Sequence, residues 1–127
     1  MENIESEKPK IVYAEDDEGI ARLVEFKLIN KGFDVILLKS GHNVVETIID
    51  KKPILILLDL MLPIKDGLTI LKELKMNDEV KNIPVIMLSV QGEEKNVVQA
   101  LNLGAADYMQ KPFSTTELTS RIHKALA

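Results

Sequence analysis

The sequence has 127 residues with 46% hydrophobic content, enough for one domain with its own core. Lys and Arg number 16 against 20 Asp and Glu, a formal charge of -4 that offers no broad basic footprint for nucleic acid; the absence of cysteine excludes disulfides, thiolate zinc sites and cysteine nucleophiles. No apolar run approaches the roughly 18 residues of a membrane helix, and the acidic, polar start is unlike a signal peptide, so a soluble cytoplasmic protein without membrane insertion or direct nucleic acid binding is expected.

In chain order, residues 1–9 read as a polar tail and residues 10–127 as one domain. Short apolar runs alternate with longer amphipathic ones from Lys10 onward. The strand candidates are Ile11 to Ala14, Asp34 to Leu38, Ile54 to Leu58, Val85 to Leu88 and Asp107 to Met109. The unbroken apolar run Ile54 to Leu58 predicts a central strand covered on both faces. Helical periodicity fills the intervals, most clearly as the stripe Ile20, Leu23, Val24 and Leu28. Gly32 and Gly104 fall where helices must end, Pro53 and Pro84 precede strands, and a last helix spans Thr115 to Leu126. The pattern predicts a single α/β domain of (βα)5 type: a doubly wound, flavodoxin-like parallel sheet of five strands in the order 2-1-3-4-5. Right-handed crossovers place the carboxyl ends of all strands along one edge.

That edge collects polar residues. The first strand closes on Glu15, Asp16 and Asp17, the third on Asp59, the fourth on Ser89 and the fifth on Lys111. Glu15, Asp16 and Asp59 would repel one another unless a hard cation compensates them, and all-oxygen ligation with room for water suits Mg²⁺. Lys111 adds a second positive charge and Ser89 a hydroxyl donor. A carboxylate nucleophile, a metal, an ammonium and a hydroxyl are the parts of phosphoryl transfer, where positioning and charge stabilisation dominate.

Singly, each residue has a plainer explanation. Glu15 to Asp17 suit an acidic helix start, Asp59 a turn after a strand, Ser89 a loop, Lys111 solvent and Tyr108 a half-buried strand position. His42 and His123 lack partners at metal-ligand spacing and read as surface residues; Met87 and Met109 read as core, and Lys75 to Asn82 as a charged, solvated segment. The joint placement favours a site.

Together these residues resemble the receiver domain of two-component response regulators from about Lys10 onward. Glu15 and Asp16 match the family's acidic pair, Asp59 within Leu58-Asp59-Leu60-Met61-Leu62-Pro63 its phosphoacceptor, Ser89 its switch hydroxyl, Tyr108 its switch aromatic, and Lys111-Pro112-Phe113 its Lys-Pro motif. The resemblance implies that the backbone carbonyl of Met61 completes the Mg²⁺ ligands, that the Lys111–Pro112 bond is cis, and that phosphorylation draws Ser89 inward and lets Tyr108 turn. It implies a histidine kinase or histidine phosphotransfer protein upstream and an effector downstream, and allows a phosphorylation-dependent dimer. Val90, where the family more often has a smaller residue, is expected to restrict access; Met61 and Gln91 suggest slow self-hydrolysis of the acyl phosphate.

Other functions fit less well. A Mg²⁺-dependent phosphohydrolase on a related fold needs a second Asp where Met61 stands, and a flavin phosphate would meet Glu15 to Glu18. A pseudo-receiver that only binds partners would have no need of the complete set.

Overall fold

The computed structural model describes residues 8–127, so the expected tail over residues 1–9 falls, apart from Lys8 and Pro9, outside the described residues. Strands and helices alternate as β1 (Lys10–Ala14), α1 (Glu18–Asn30), β2 (Asp34–Leu38), α2 (Val44–Lys51), β3 (Leu55–Asp59), α3 (Gly67–Lys75), β4 (Val85–Ser89), α4 (Glu94–Asn102), β5 (Asp107–Gln110) and α5 (Thr115–Leu126). All strand pairs are parallel, and the order across the sheet is β2-β1-β3-β4-β5, the doubly wound flavodoxin-like arrangement.

Because side chains alternate across a strand, the sheet builds two cores. Val12, Ala14, Ile56, Leu58, Val85 and Met87 face α2, α3 and α4, packing on Ile48, Ile70, Leu71, Leu74 and Ala100. Ile11, Tyr13, Leu55, Leu57, Leu88 and Met109 face the other way onto α1 and α5, against Val24, Leu28, Leu118 and Ile122. β1, β3 and β4 are buried over nearly their whole length, which explains their continuous apolar runs.

Several boundaries differ from the sequence expectation. β3 runs Leu55–Asp59, leaving Ile54 outside and 37% exposed, while β4 and β5 extend to Ser89 and Gln110. The ladder is made by backbone groups, so Asp59 pairs with Leu88 and Ser89 with Gln110 although their side chains are polar. In α1 the buried stripe is Ala21, Val24 and Leu28, whereas Leu23 is 55% exposed. Apolar residues on both flanks of that helix, Ile20, Leu23, Phe26 and Ile29, allow the stripe to be read one position out of phase. The segment Lys75 to Asn82 is not wholly solvated, since Val80 is buried in the core. Met87 and Met109 are buried, as expected of core residues.

Local chemistry sets the helix starts facing the carboxyl edge. Asp17 accepts a hydrogen bond from Ile20 N at 3.0 Å and Asp66 from Thr69 N at 2.8 Å, capping α1 and α3. Gly32 and Gly104 have φ of 98° and 107°, a conformation that suits residues without Cβ just beyond α1 and α4.

Candidate functional site

Four adjacent strands deliver the site. Glu15 continues the β1 ladder through its amide, which donates to Leu38 O at 2.9 Å; Asp59 and Ser89 are the last residues of β3 and β4; Lys111 follows β5, its amide donating to Ser89 O at 2.6 Å. Among the described residues the buried polar or charged side chains are Glu15, Asp59 and Ser89, all on this one edge. Burying such groups is unfavourable unless they are partnered, so their concentration here marks a site.

Lys111 joins the carboxylates. Its Nζ lies 2.8 Å from Asp59 Oδ2, 2.6 Å from Glu15 Oε1 and 2.8 Å from Glu15 Oε2, with its side chain 10% exposed. Asp59 Oδ1 accepts from Met61 N at 3.1 Å, and Glu15 Oε2 from Asp17 N at 3.2 Å. One oxygen from each of Glu15, Asp16 and Asp59 lies within 4.8 Å of the others, with Asp16 exposed at the mouth. Burial raises the Glu15 pKa, the neighbouring Asp59 carboxylate raises it further, and Lys111 opposes both; the result is about 7. Burial alone would lower the Lys111 pKa, but its hydrogen bonds to Asp59 and Glu15 outweigh that and hold it above its ordinary value.

Ser89 and Tyr108 stand beside this cluster in different states. The Ser89 hydroxyl is buried and donates to Met109 O over 3.5 Å, at the outer limit of a hydrogen bond. Tyr108 is 41% exposed and lines a groove with Val90, Val97 and Leu101 between α4 and β5. Val90 is itself 48% exposed, and Met61 62%. The Lys111–Pro112 peptide bond is cis, as the resemblance implied. His42 and His123 are exposed and belong to no metal-holding cluster among the described residues.

Three supporting contacts were not read from the sequence. The first is the Lys111–Glu15 pair. The second is Gly67, where an added Cβ would overlap the Asp59 carbonyl oxygen and stand 2.9 Å from Leu60 Cα; its amide donates to Leu60 O at 2.9 Å. The Asp-Gly pair opening α3 was a visible signal of such close approach. The third is Tyr13, fully buried, whose hydroxyl donates to Glu15 Oε1 at 3.3 Å. Burial, then the Glu15 charge, raises its pKa. The i, i+2 spacing of Tyr13 and Glu15 on one strand puts both on the same face and could have shown the pair.

The donor set fits a hard divalent cation. Three carboxylates face one ammonium, so negative charge remains in excess, the ligands are all oxygen, and exposed Asp16 leaves the mouth open to water. An acidic cation pocket at the carboxyl edge of a doubly wound sheet defines a class of α/β proteins that bind ligands at the switch point between neighbouring strands.

Within that class the comparisons are specific. The chain belongs to the response regulator receiver domain family, whose model matches residues 11–123. It is 33% identical to the receiver domain of Francisella response regulator 1452, covering 93% of this chain and 96% of that one with a TM-score of 0.83. It is also 33% identical to the BeF3-activated N-terminal receiver domain of Klebsiella pneumoniae RstA, over 92% and 97% of the two chains with a TM-score of 0.84. Against Brucella abortus NtrX in complex with ADP the identity is 30% and the TM-score 0.85, over 94% of this chain and 27% of that one. Receiver domains are signalling domains of two-component systems that bind Mg²⁺ at an acidic pocket, with a histidine kinase upstream and an effector downstream. Among the described residues no helix is long and apolar enough to cross a membrane.

Proposed function

We propose that Asp59 accepts a phosphoryl group from a phosphohistidine donor, and that Mg²⁺ is held by Glu15, Asp16, Asp59 and the backbone carbonyl of Met61. The observation that carries this reading is the state of the Asp59 carboxylate: 4% exposed at the end of β3, with Oδ2 paired to Lys111 at 2.8 Å beside two further acids. The BeF3-activated RstA receiver domain, 33% identical, supports the same reading.

In the transfer, an Asp59 oxygen forms a bond to phosphorus as the P–N bond to the donor imidazole breaks, and its electron pair stays on the imidazole nitrogen. Mg²⁺, when bound, neutralises charge on the phosphoryl oxygens and orients them. Lys111 follows the negative charge from Asp59 Oδ2 to a phosphoryl oxygen. The Ser89 hydroxyl exchanges its long bond to Met109 O for a shorter one to the phosphoryl group, and Tyr108 turns from solvent into the space this opens. The added charge thereby favours one of two arrangements of the surface around α4, β5 and α5, to which a partner responds. We assign this role to a domain over residues 10–127 in the cytoplasm, fed by a histidine kinase or histidine phosphotransfer protein, with dimer formation as one form of output. Val90 at the groove restricts small phosphodonors, and the Met61 side chain, unable to orient water by hydrogen bonding, favours a long-lived acyl phosphate.

A phosphotransfer profile tests the proposal. Purified, prelabelled histidine kinases of the host are mixed with the chain in Mg²⁺, and rapid label uptake from one of them is expected; an Asp59→Asn variant takes up none. Equal labelling of wild type and variant would place the acceptor elsewhere.

A further inference from the structure

We infer that Tyr13 is a positioning residue for the cation pocket, acting through Glu15; this rests on the reading of Glu15 as a metal ligand. Tyr13 sits in the middle of β1, its backbone paired with Leu37 on one side and Leu57 on the other, and its side chain is fully buried against α1 and α5. The buried cluster around it is otherwise built from Ala, Val, Leu, Ile, Phe and Met. A phenol there has one polar atom to satisfy, and that atom donates to Glu15 Oε1 at 3.3 Å.

Glu15 is wholly buried, and its carboxylate could rotate about the last side-chain bond. Three donors hold it: Tyr13 at Oε1, the Asp17 amide at Oε2 over 3.2 Å, and Lys111 at both oxygens. Lys111 is the contact a cation must compete with, because both are positive and both are drawn to the same oxygens. The Tyr13 hydroxyl and the Asp17 amide are neutral donors from β1 and the turn beyond it, so they remain when the charge partner changes. They turn the carboxylate plane so that an oxygen faces Asp16 and Asp59, as partners of ligating groups commonly do. The side-chain length of Glu15 follows from the same pairing, since Asp would draw the carboxylate back by one methylene and out of reach of a hydroxyl already at 3.3 Å.

Calorimetric titration of the full chain with Mg²⁺ alone, on wild type, Tyr13→Phe, Glu15→Asp and the double variant, tests this. Tyr13→Phe keeps the ring and removes one oxygen, so a filler role predicts unchanged affinity. A positioning role predicts about tenfold weaker binding, and an effect of Tyr13→Phe below about twofold when Glu15→Asp is already present. A second measurement needs no folded Tyr13→Phe protein. The chain has 2 tyrosines and no tryptophan, so Mg²⁺ should produce a tyrosine ultraviolet difference spectrum that persists in Tyr108→Phe. Wild type that binds while Tyr13→Phe binds equally well, or a difference spectrum that disappears in Tyr108→Phe, overturns the role of Tyr13 alone. Wild type that takes up no Mg²⁺ overturns the metal-pocket reading and the Tyr13 role with it.

Discussion

Lys111 and Glu15, separated by 96 residues in the chain, form the shortest ion pair among the described residues, at 2.6 Å. The ammonium is therefore shared between Glu15, just beyond β1, and Asp59, the last residue of β3. Removing it by Lys111→Ala leaves buried carboxylates facing one another. Chelator-treated Lys111→Ala should be less stable than wild type by about 3 kcal/mol in denaturant unfolding, and Mg²⁺ should recover much of the loss by supplying the missing charge. Labelling of Asp59 should survive in this variant, while the inward turn of Tyr108 should not.

Glu15 gives the metal-free protein a pH dependence of definite sign. Its pKa rises from 4.5 to about 7 on folding, so the folded state binds this proton more tightly than the unfolded chain. The resulting stability is fully present below 4.5 and is lost as pH rises through about 7. Thermal melts in chelator at about pH 5 and about pH 8 should show the lower midpoint at the higher pH, and Glu15→Gln should flatten the difference. A wild-type midpoint that rises over that interval would contradict the assignment.

Gly67 holds α3 against the backbone of Asp59. Since a Cβ there would overlap the Asp59 carbonyl oxygen, Gly67→Ala must push α3 or the end of β3 aside. A loss of about 2 kcal/mol is expected, together with slower phosphoryl uptake because the acceptor moves. Denaturant unfolding and labelling rates measured on the same sample check both.

Ile64 lies in the loop between β3 and α3 with φ of 75° and 81% exposure, a backbone conformation costly for a β-branched residue and a position that gains little from packing. Ile64→Gly should raise stability by about 1 kcal/mol, a shift of about 3–6 °C in the melting midpoint. Unchanged or lowered stability would mean that the Ile side chain makes contacts that offset the strain.

Much of this was legible in the sequence because the fold converts polar strand ends into neighbours. Once five strands were counted, Glu15, Asp16, Asp59, Ser89 and Lys111 had to meet, and four of the five are buried or nearly so. Period alone could not orient α1, where apolar residues stand on both flanks of the buried stripe, nor place the ends of β3, β4 and β5, where the ladder runs on through polar side chains. The Lys111–Glu15 pair was missed because sequence spacing shows which residues share an edge but not how far a long side chain reaches across it. Tyr13 was missed for another reason: inside an apolar run an aromatic residue reads as core, and its single polar atom is revealed only by the face it shares with Glu15.

The proposed chemistry has Asp59 carry the phosphoryl group and need Mg²⁺ to receive it. Intact-mass measurement after mixing the chain with its phosphorylated kinase tests this most directly, in Mg²⁺ and in chelator, on wild type and Asp59→Asn. Wild type should gain one phosphoryl group in Mg²⁺, and neither wild type in chelator nor the variant should gain any. No gain for wild type under conditions that label another receiver, or an equal gain in Asp59→Asn, would contradict it.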